Sequence, residues 1–164
     1  MFSAEFKLPP GGLFGGARAG AVIDDQIEAA MHESLTLLEG RVIPATPSNF
    51  GHLRAGWASQ IVATPIDITG RVFNNVPYLG PVEMGTAPHP VSREGRDSLA
   101  LWAKRKLGVG DVEAKSIAFL IARKIAQRGS KGAFMLTRTW ETSKSDVVAI
   151  FDAAMRRIAE ELRK

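Results

Sequence analysis

Apolar and polar positions follow a helical period over much of the chain. Ile23, Ile27, Met31, Leu35 and Leu38 recur at steps of three and four and form one apolar stripe, which predicts a helix from Asp24 to Leu38. Asp24, Asp25 and Glu28 stand in its first turns, where the helix dipole favours negative charge. Gly40 fits a C-terminal cap, and Pro44 and Pro47 are expected to bar continuation. A second stripe of Ala114, Ile117, Ala118, Ile121 and Ile125 predicts a helix over 111–128. It is separated by Gly108 and Gly110 from a shorter helix that Asp97 or Ser98 can cap and that ends at Leu107. A third stripe of Val147, Phe151, Ala154, Met155, Ile158 and Leu162 predicts a long closing helix, opened by Ser143-Lys-Ser-Asp146 in the Ser-x-x-acid capping pattern.

Between the first and second stripes the period changes to two. Residues 58–68 alternate with Ile61 and Ala63 on one face and Val62, Thr64 and Ile66 on the other, a strand that Pro65 marks as an edge or bulged one. Thr69-Gly70 is expected to turn and Arg71 to Asn75 to return, closing a hairpin over about 57–75. Pro77-Tyr78 then leads into a short helical turn that leaves at Gly85-Thr86, followed by a loop to Arg96. Gly129 to Gly132 reads as a turn, and Ala133 to Trp140 as a strand or an extended lead-in. Helices flanking a hairpin define an α+β class: a small antiparallel sheet packed with an N-terminal helix, two middle helices and a long C-terminal helix. Residues 8–20 are rich in Pro and Gly, so residues 1–20 are expected to be a flexible arm and 21–164 a single domain. Leu13 and Phe14 are the isolated apolar residues of that arm, suited to docking on a neighbour or to packing on the chain's own domain.

Composition narrows the chemistry. A chain of 164 residues can bury a core of its own. It has no cysteine, which excludes disulfides, thiolate catalysis and Cys-ligated zinc. No apolar run approaches the roughly 20 residues of a membrane helix, and the first residues lack the apolar core of a signal peptide. The net charge of +4 is unevenly placed. Residues 96–138 hold ten Lys or Arg (Arg96, Lys104, Arg105, Lys106, Lys115, Arg123, Lys124, Arg128, Lys131 and Arg138) against Asp97, Asp111 and Glu113, a net of +7. Residues 1–95 carry 6 against 9, and residues 139–164 are balanced. Lys104, Arg105, Lys106, Lys115, Arg123, Lys124, Arg128 and Lys131 are therefore the candidate surface for DNA or for an acidic partner, against the alternative of solvated helix faces.

No catalytic or metal constellation accompanies this charge. His32, His52 and His89 make no His-x-x-x-His pair and stand in no Glu-x-x-His pattern. There is no Gly-x-Ser-x-Gly elbow, and Gly11-Gly12 with Gly15-Gly16 lacks the Lys-Ser/Thr of a phosphate loop. The expectation is a non-enzyme without metal or cofactor.

The remaining signal is a set of short motifs in a fixed order. Leu53-Arg54-Ala55-Gly56-Trp57 precedes the hairpin, and Gly70-Arg71-Val72 lies within it. Asn74, Pro77-Tyr78 and Val82-Glu83-Met84-Gly85-Thr86 follow, and Arg128-Gly-Ser-Lys-Gly-Ala-Phe-Met-Leu136 comes late. In this order they resemble the head–tail joining, tail-completion and tail-terminator proteins of tailed phages, a family of minor tail and neck components. The family pattern departs here at Trp57, where Ser is frequent, at Leu79, where Ala follows the Tyr, at Ser130 in place of Thr, and at Met135, which interrupts a Phe-Leu pair. The stretch 97–128 is longer than in short members.

The resemblance implies a structural virion protein of the neck, assembled in the host cytoplasm. It implies a homo-oligomeric ring, usually sixfold, that terminates or completes the tail and joins it to the head, with genomic DNA passing through the centre. Its partners would be the tail-tube protein and a head-closure or adaptor ring; a head-closure (stopper) position is the alternative within the family. Arg54, Trp57, Tyr78, Glu83, Gly85 and Thr86, with Leu13 and Phe14, are the candidate ring-interface residues. From a different class, the basic segment 96–138 alone would suit a sequence-independent DNA-binding protein.

Overall fold

The computed structural model describes residues 3–8, 17–48, 51–64 and 67–163. The class is α+β, with a small antiparallel sheet and a long C-terminal helix. The chain folds as two compact units: residues 1–79 with 134–164, and the inserted residues 80–133.

The first unit is built on two long helices, α1 (Ala17–Ala45) and α6 (Met135–Glu161). Ile27, Ala30, Met31, Leu35, Leu38 and Val42 bury the expected stripe of α1. α1 runs well beyond the expected end. Gly40 lies inside it rather than capping it, and Pro44 occupies its last turn. Glycine in a helix interior costs about 1 kcal/mol, and here Val42 and Thr46, both fully buried, prolong the apolar contact past it. α6 begins eight residues before its expected cap. Met135, Thr139 and Ser143 form a buried stripe at steps of four that continues into Val147, Ala154 and Ile158. Ser143, expected as the N-cap, is an interior helical residue that accepts a hydrogen bond from Arg41 Nη1 at 2.9 Å. Small hydroxyl residues hid this part of the stripe, because they read as caps in sequence. The two helices pair antiparallel: Arg41 meets Ser143 and Asp146 at one end, and Gln26 meets Arg157 and Glu161 at the other.

The sheet has the order β1-β3-β2, all antiparallel, with β1 (Ser3–Leu8), β2 (Trp57–Ala63) and β3 (Ile68–Asn74). Residues 3–8 and 17–20, assigned by sequence to a flexible arm, are thus a paired strand and the first residues of α1, which begins seven residues before the expected Asp24. Thr69-Gly70, expected as the hairpin turn, lies inside β3 opposite Val62 and Ile61. The turn is instead closed at Thr64 and Asp67, whose backbone and side chains bond to each other at 2.7–3.1 Å. Ile68, Thr69 and Gly70 are all buried, so no alternation marks the start of β3, and Thr-Gly reads as a turn in sequence. Ser59 donates to Glu39 of α1 at 2.8 Å, and alternate residues of β2 therefore face that helix.

A four-residue helix, α2 (His52–Ala55), precedes β2. α3 (Leu79–Met84) leads into the second unit, where β4 (Gly85–Thr86) pairs with β5 (Ser130–Lys131). Between these strands lie α4 (Arg93–Leu107) and α5 (Asp111–Arg128), packed on each other. Ser92 caps α4 by accepting from Gly95 N at 3.1 Å, ahead of the expected Asp97 or Ser98. Gly108, at φ 69°, closes α4 in the left-handed conformation. Met135 to Trp140, expected as extended chain, is the first part of α6.

Candidate functional site

The motif residues separate into an internal joint in the first unit and a clasp in the second. The joint centres on Thr46, at the end of α1. Its Oγ1 donates to Val42 O at 2.6 Å and accepts Trp57 Nε1 at 2.7 Å, while its carbonyl accepts Arg54 Nε at 2.7 Å. Arg54 Nη2 reaches Pro44 O at 3.4 Å. A cation on the last carbonyls of a helix also opposes the negative end of its dipole. Asn74 is buried and donates to Leu53 O at 2.7 Å while accepting Val76 N at 3.0 Å. A side chain at Gly56 would collide with Asn74 Oδ1. Leu53-Arg54-Ala55-Gly56-Trp57 and Asn74 therefore hold α1, α2 and the hairpin in register. Trp57 is 5% exposed, whereas Tyr78, the single tyrosine, is 47% exposed and is the motif residue of this unit best placed to meet another molecule.

The clasp unites two motifs that are 44 residues apart in sequence. Gly85 pairs with Lys131 and Thr86 with Ser130. Thr86 Oγ1 lies 2.9 Å from Ser130 Oγ and accepts Ser130 N at 3.2 Å, and Ala133 N donates to Val82 O at 2.8 Å. Gly85 and Gly129 both have positive φ, at 80° and 70°. A Cβ on Gly85 would overlap Ser130 O, one on Gly129 would overlap Thr86 O, and one on Gly132 would overlap Glu83 O. The glycines are required because two backbones cross where no side chain fits. Glu83 is 1% exposed, so the carboxylate named as an interface candidate is internal to the folded chain.

The basic residues lie on and beside α4 and α5. Lys104 Nζ bonds Asp111 Oδ1 at 2.5 Å, and this ammonium holds the Asp111 carboxyl below its ordinary range. Lys106, Lys115, Arg123, Lys124, Arg128 and Lys131 make no ion pair among the described residues. Arg105 is exposed on α4. Leu13 and Phe14 lie outside the described residues. Among the described residues no group of three or more His, Asp or Glu is placed to hold a metal ion.

Sequence reasoning missed two features. Thr46 carried no signal, because an isolated Thr between Ala45 and Pro47 reads as loop. The outward face of α5 was detectable: Val112, Ser116, Phe119, Leu120 and Arg123 share helical spacing opposite the Ala114–Ile125 stripe. Comparison of the chain with protein-family models, with curated proteins and with solved structures finds no match.

Proposed function

We propose that this chain is a structural subunit of the head–tail interface of a tailed bacteriophage. It would form a ring that terminates or completes the tail and joins it to the head, with a head-closure ring as the alternative position. The observation that carries the proposal is the clasp. The Glu83-x-Gly85-Thr86 motif and the late Gly129-Ser-Lys-Gly132 motif, distant in sequence, meet as one paired element, as expected if both belong to one ancestral pattern. The α+β architecture and the internal bonding of Arg54, Trp57 and Asn74 are consistent with it: the motif is mainly the framework of the subunit. The interface role then falls to exposed residues such as Tyr78.

Light scattering of the purified protein over a range of concentrations, with and without a candidate tail-tube protein, tests the proposal. A closed ring, alone or on the tube, is the expected result, and Tyr78→Ala is expected to weaken it. A monomer that never associates and never engages the tube would remove it.

The cations of α5, which have no ion pair among the described residues, favour one second reading, sequence-independent DNA binding. It requires duplex affinity that falls steeply with salt, because phosphate contacts release counterions. No binding at low salt would eliminate it.

A further inference from the structure

α5 is apolar on two opposite faces. Ala114, Ala118 and Ala122 are buried, with Ile117, Ile121 and Ile125 half-buried beside them. On the opposite side Val112 is 83%, Phe119 60% and Leu120 61% exposed, with Ser116 and Arg123 between them. A helix apolar on both sides needs a second neighbour. Lys115 and Lys124 border this outward face, and neither they nor Arg123 and Arg128 have an ion pair among the described residues.

α1 presents the complementary surface. Asp25, Glu28, Ala29, His32, Glu33, Thr36 and Gly40 lie on one arc of that helix, all exposed and opposite its buried stripe. The three acids there have no Lys or Arg partner among the described residues; Glu28 lies 4.0 Å from His32 of its own helix. Ala29 and Gly40 keep the arc low, and a Cβ on Gly40 would meet nothing within 4 Å.

We propose that the outward face of α5 seats on the outward face of α1 in a second copy of this chain, a head-to-tail contact that deepens, and rests on, the self-assembling subunit proposed above. Antiparallel seating brings Arg123, Lys124 and Arg128 over Asp25 and Glu28, and Lys115 toward Glu33. It also keeps Asp111 and Glu113 away from the acids of α1. The parallel arrangement would place the acidic start of α5 against the acidic half of α1. An antiparallel pair of α5 faces would set Glu113 of each copy by Lys124 of the other but would leave the acids of α1 unmatched, and Glu28→Lys with Glu33→Lys would leave such a pair intact; two α1 faces offer their acids no Lys or Arg on the arc. Because the two surfaces differ, each copy keeps one free, and the contact repeats until it closes. Duplex DNA would use the cations but leave Phe119 and Leu120 against phosphates. An anionic bilayer would have to accept Asp111 and Glu113 at the start of the same helix.

The test uses the full chain in two charge-reversed forms, Lys115→Glu with Lys124→Glu, and Glu28→Lys with Glu33→Lys. Sedimentation or light scattering over concentration and salt reads the association. The wild type is expected to associate more weakly as salt rises. Each variant alone should need at least about tenfold more protein for half-association, as should Phe119→Ser. An equimolar mixture of the two charge variants should assemble again at a one-to-one ratio, which no misfolded variant could do. A mixture that stays dissociated, or a wild type monomeric up to roughly 1 mM, overturns the proposal. So does a Lys115/Lys124 effect confined to a short DNA duplex or to phosphatidylserine vesicles. Wild-type association that both variants retain overturns this interface while leaving the ring reading in place. Assembly through these faces by a protein that never engages the tail tube keeps the interface and removes the phage reading.

Discussion

At the scale of single residues, the strongest dependence falls on backbone crossings and buried polar bonds. Gly129→Ala forces a side chain into a positive-φ site already filled by the Thr86 carbonyl. The expected loss is about 2 kcal/mol or more, measured by denaturant unfolding, whereas Gly108→Ala meets open space and loses only about 1 kcal/mol for its φ. Trp57→Phe keeps most of the ring but leaves Thr46 Oγ1 without its donor, and about 1–3 kcal/mol of destabilisation is expected in the same assay. Three lowered carboxyls, Glu5, Asp111 and Glu94, the last through backbone and Ser92 hydrogen bonds, give the acid limb of stability its sign. The Arg71 guanidinium bonded to Glu5, with Lys7 beside it, and the Lys104 ammonium bonded to Asp111 hold the first two below their ordinary values. A depressed folded-state pKa stabilises above the unfolded value and is lost as pH falls through the folded one. Melting temperature should therefore decline through the carboxylate range, and Glu5→Gln should flatten that decline relative to the wild type.

At the scale of elements, the α1–α6 pair depends more on its apolar stripe than on its polar ends. Met31→Ala removes a fully buried side chain, with an expected cost of about 2–5 kcal/mol. Arg41→Ala removes a half-exposed pair with Asp146 at 2.6 Å and a bond to Ser143, with an expected cost near 1 kcal/mol or less. Chemical denaturation of the two variants side by side checks the ranking. Much of this pairing was legible in the sequence: the stripe of Ile27, Met31, Leu35 and Leu38 and the later one of Val147, Ala154 and Ile158 are the faces that pack. Their extensions were not, because Gly40 and Pro44 usually end helices and because Thr139 and Ser143 usually cap them. Burial against the partner helix outweighed those local preferences. Met155 and Leu162, grouped by sequence with the closing stripe, are 46% and 47% exposed, since an arc of one helix cannot all face one neighbour.

At the scale of the whole molecule, the chain is one compact unit interrupted by another. Replacing residues 88–127 with a short Gly/Ser linker should leave the α1–α6 pair and the three-stranded sheet folded, with a cooperative thermal transition retained by circular dichroism. Loss of that transition would show that the two units depend on each other for stability. The insertion also carries the basic excess, so the shortened chain should lose any salt-sensitive association.

Elements whose signals are chemical and local could be placed from one dimension. α5 ran from Asp111 to Arg128 as its stripe required, and Gly108 and Gly110 separated it from α4. The basic segment, the lack of cysteine and the order of the Tyr-to-Gly-Thr motifs were likewise plain in one dimension. Which motif residues face inward was visible in the folded chain and not before; the fold settles the remainder. Trp57 and Glu83 are buried, while Tyr78 is open. The fold alone placed Ser3–Leu8 on β3, brought Gly85-Thr86 to Ser130-Lys131, and left Val112, Phe119 and Leu120 uncovered. The physical reason is common to these cases. Periodicity and turn chemistry act between near neighbours, whereas burial and close backbone approach depend on which distant segment arrives, and that is settled by packing.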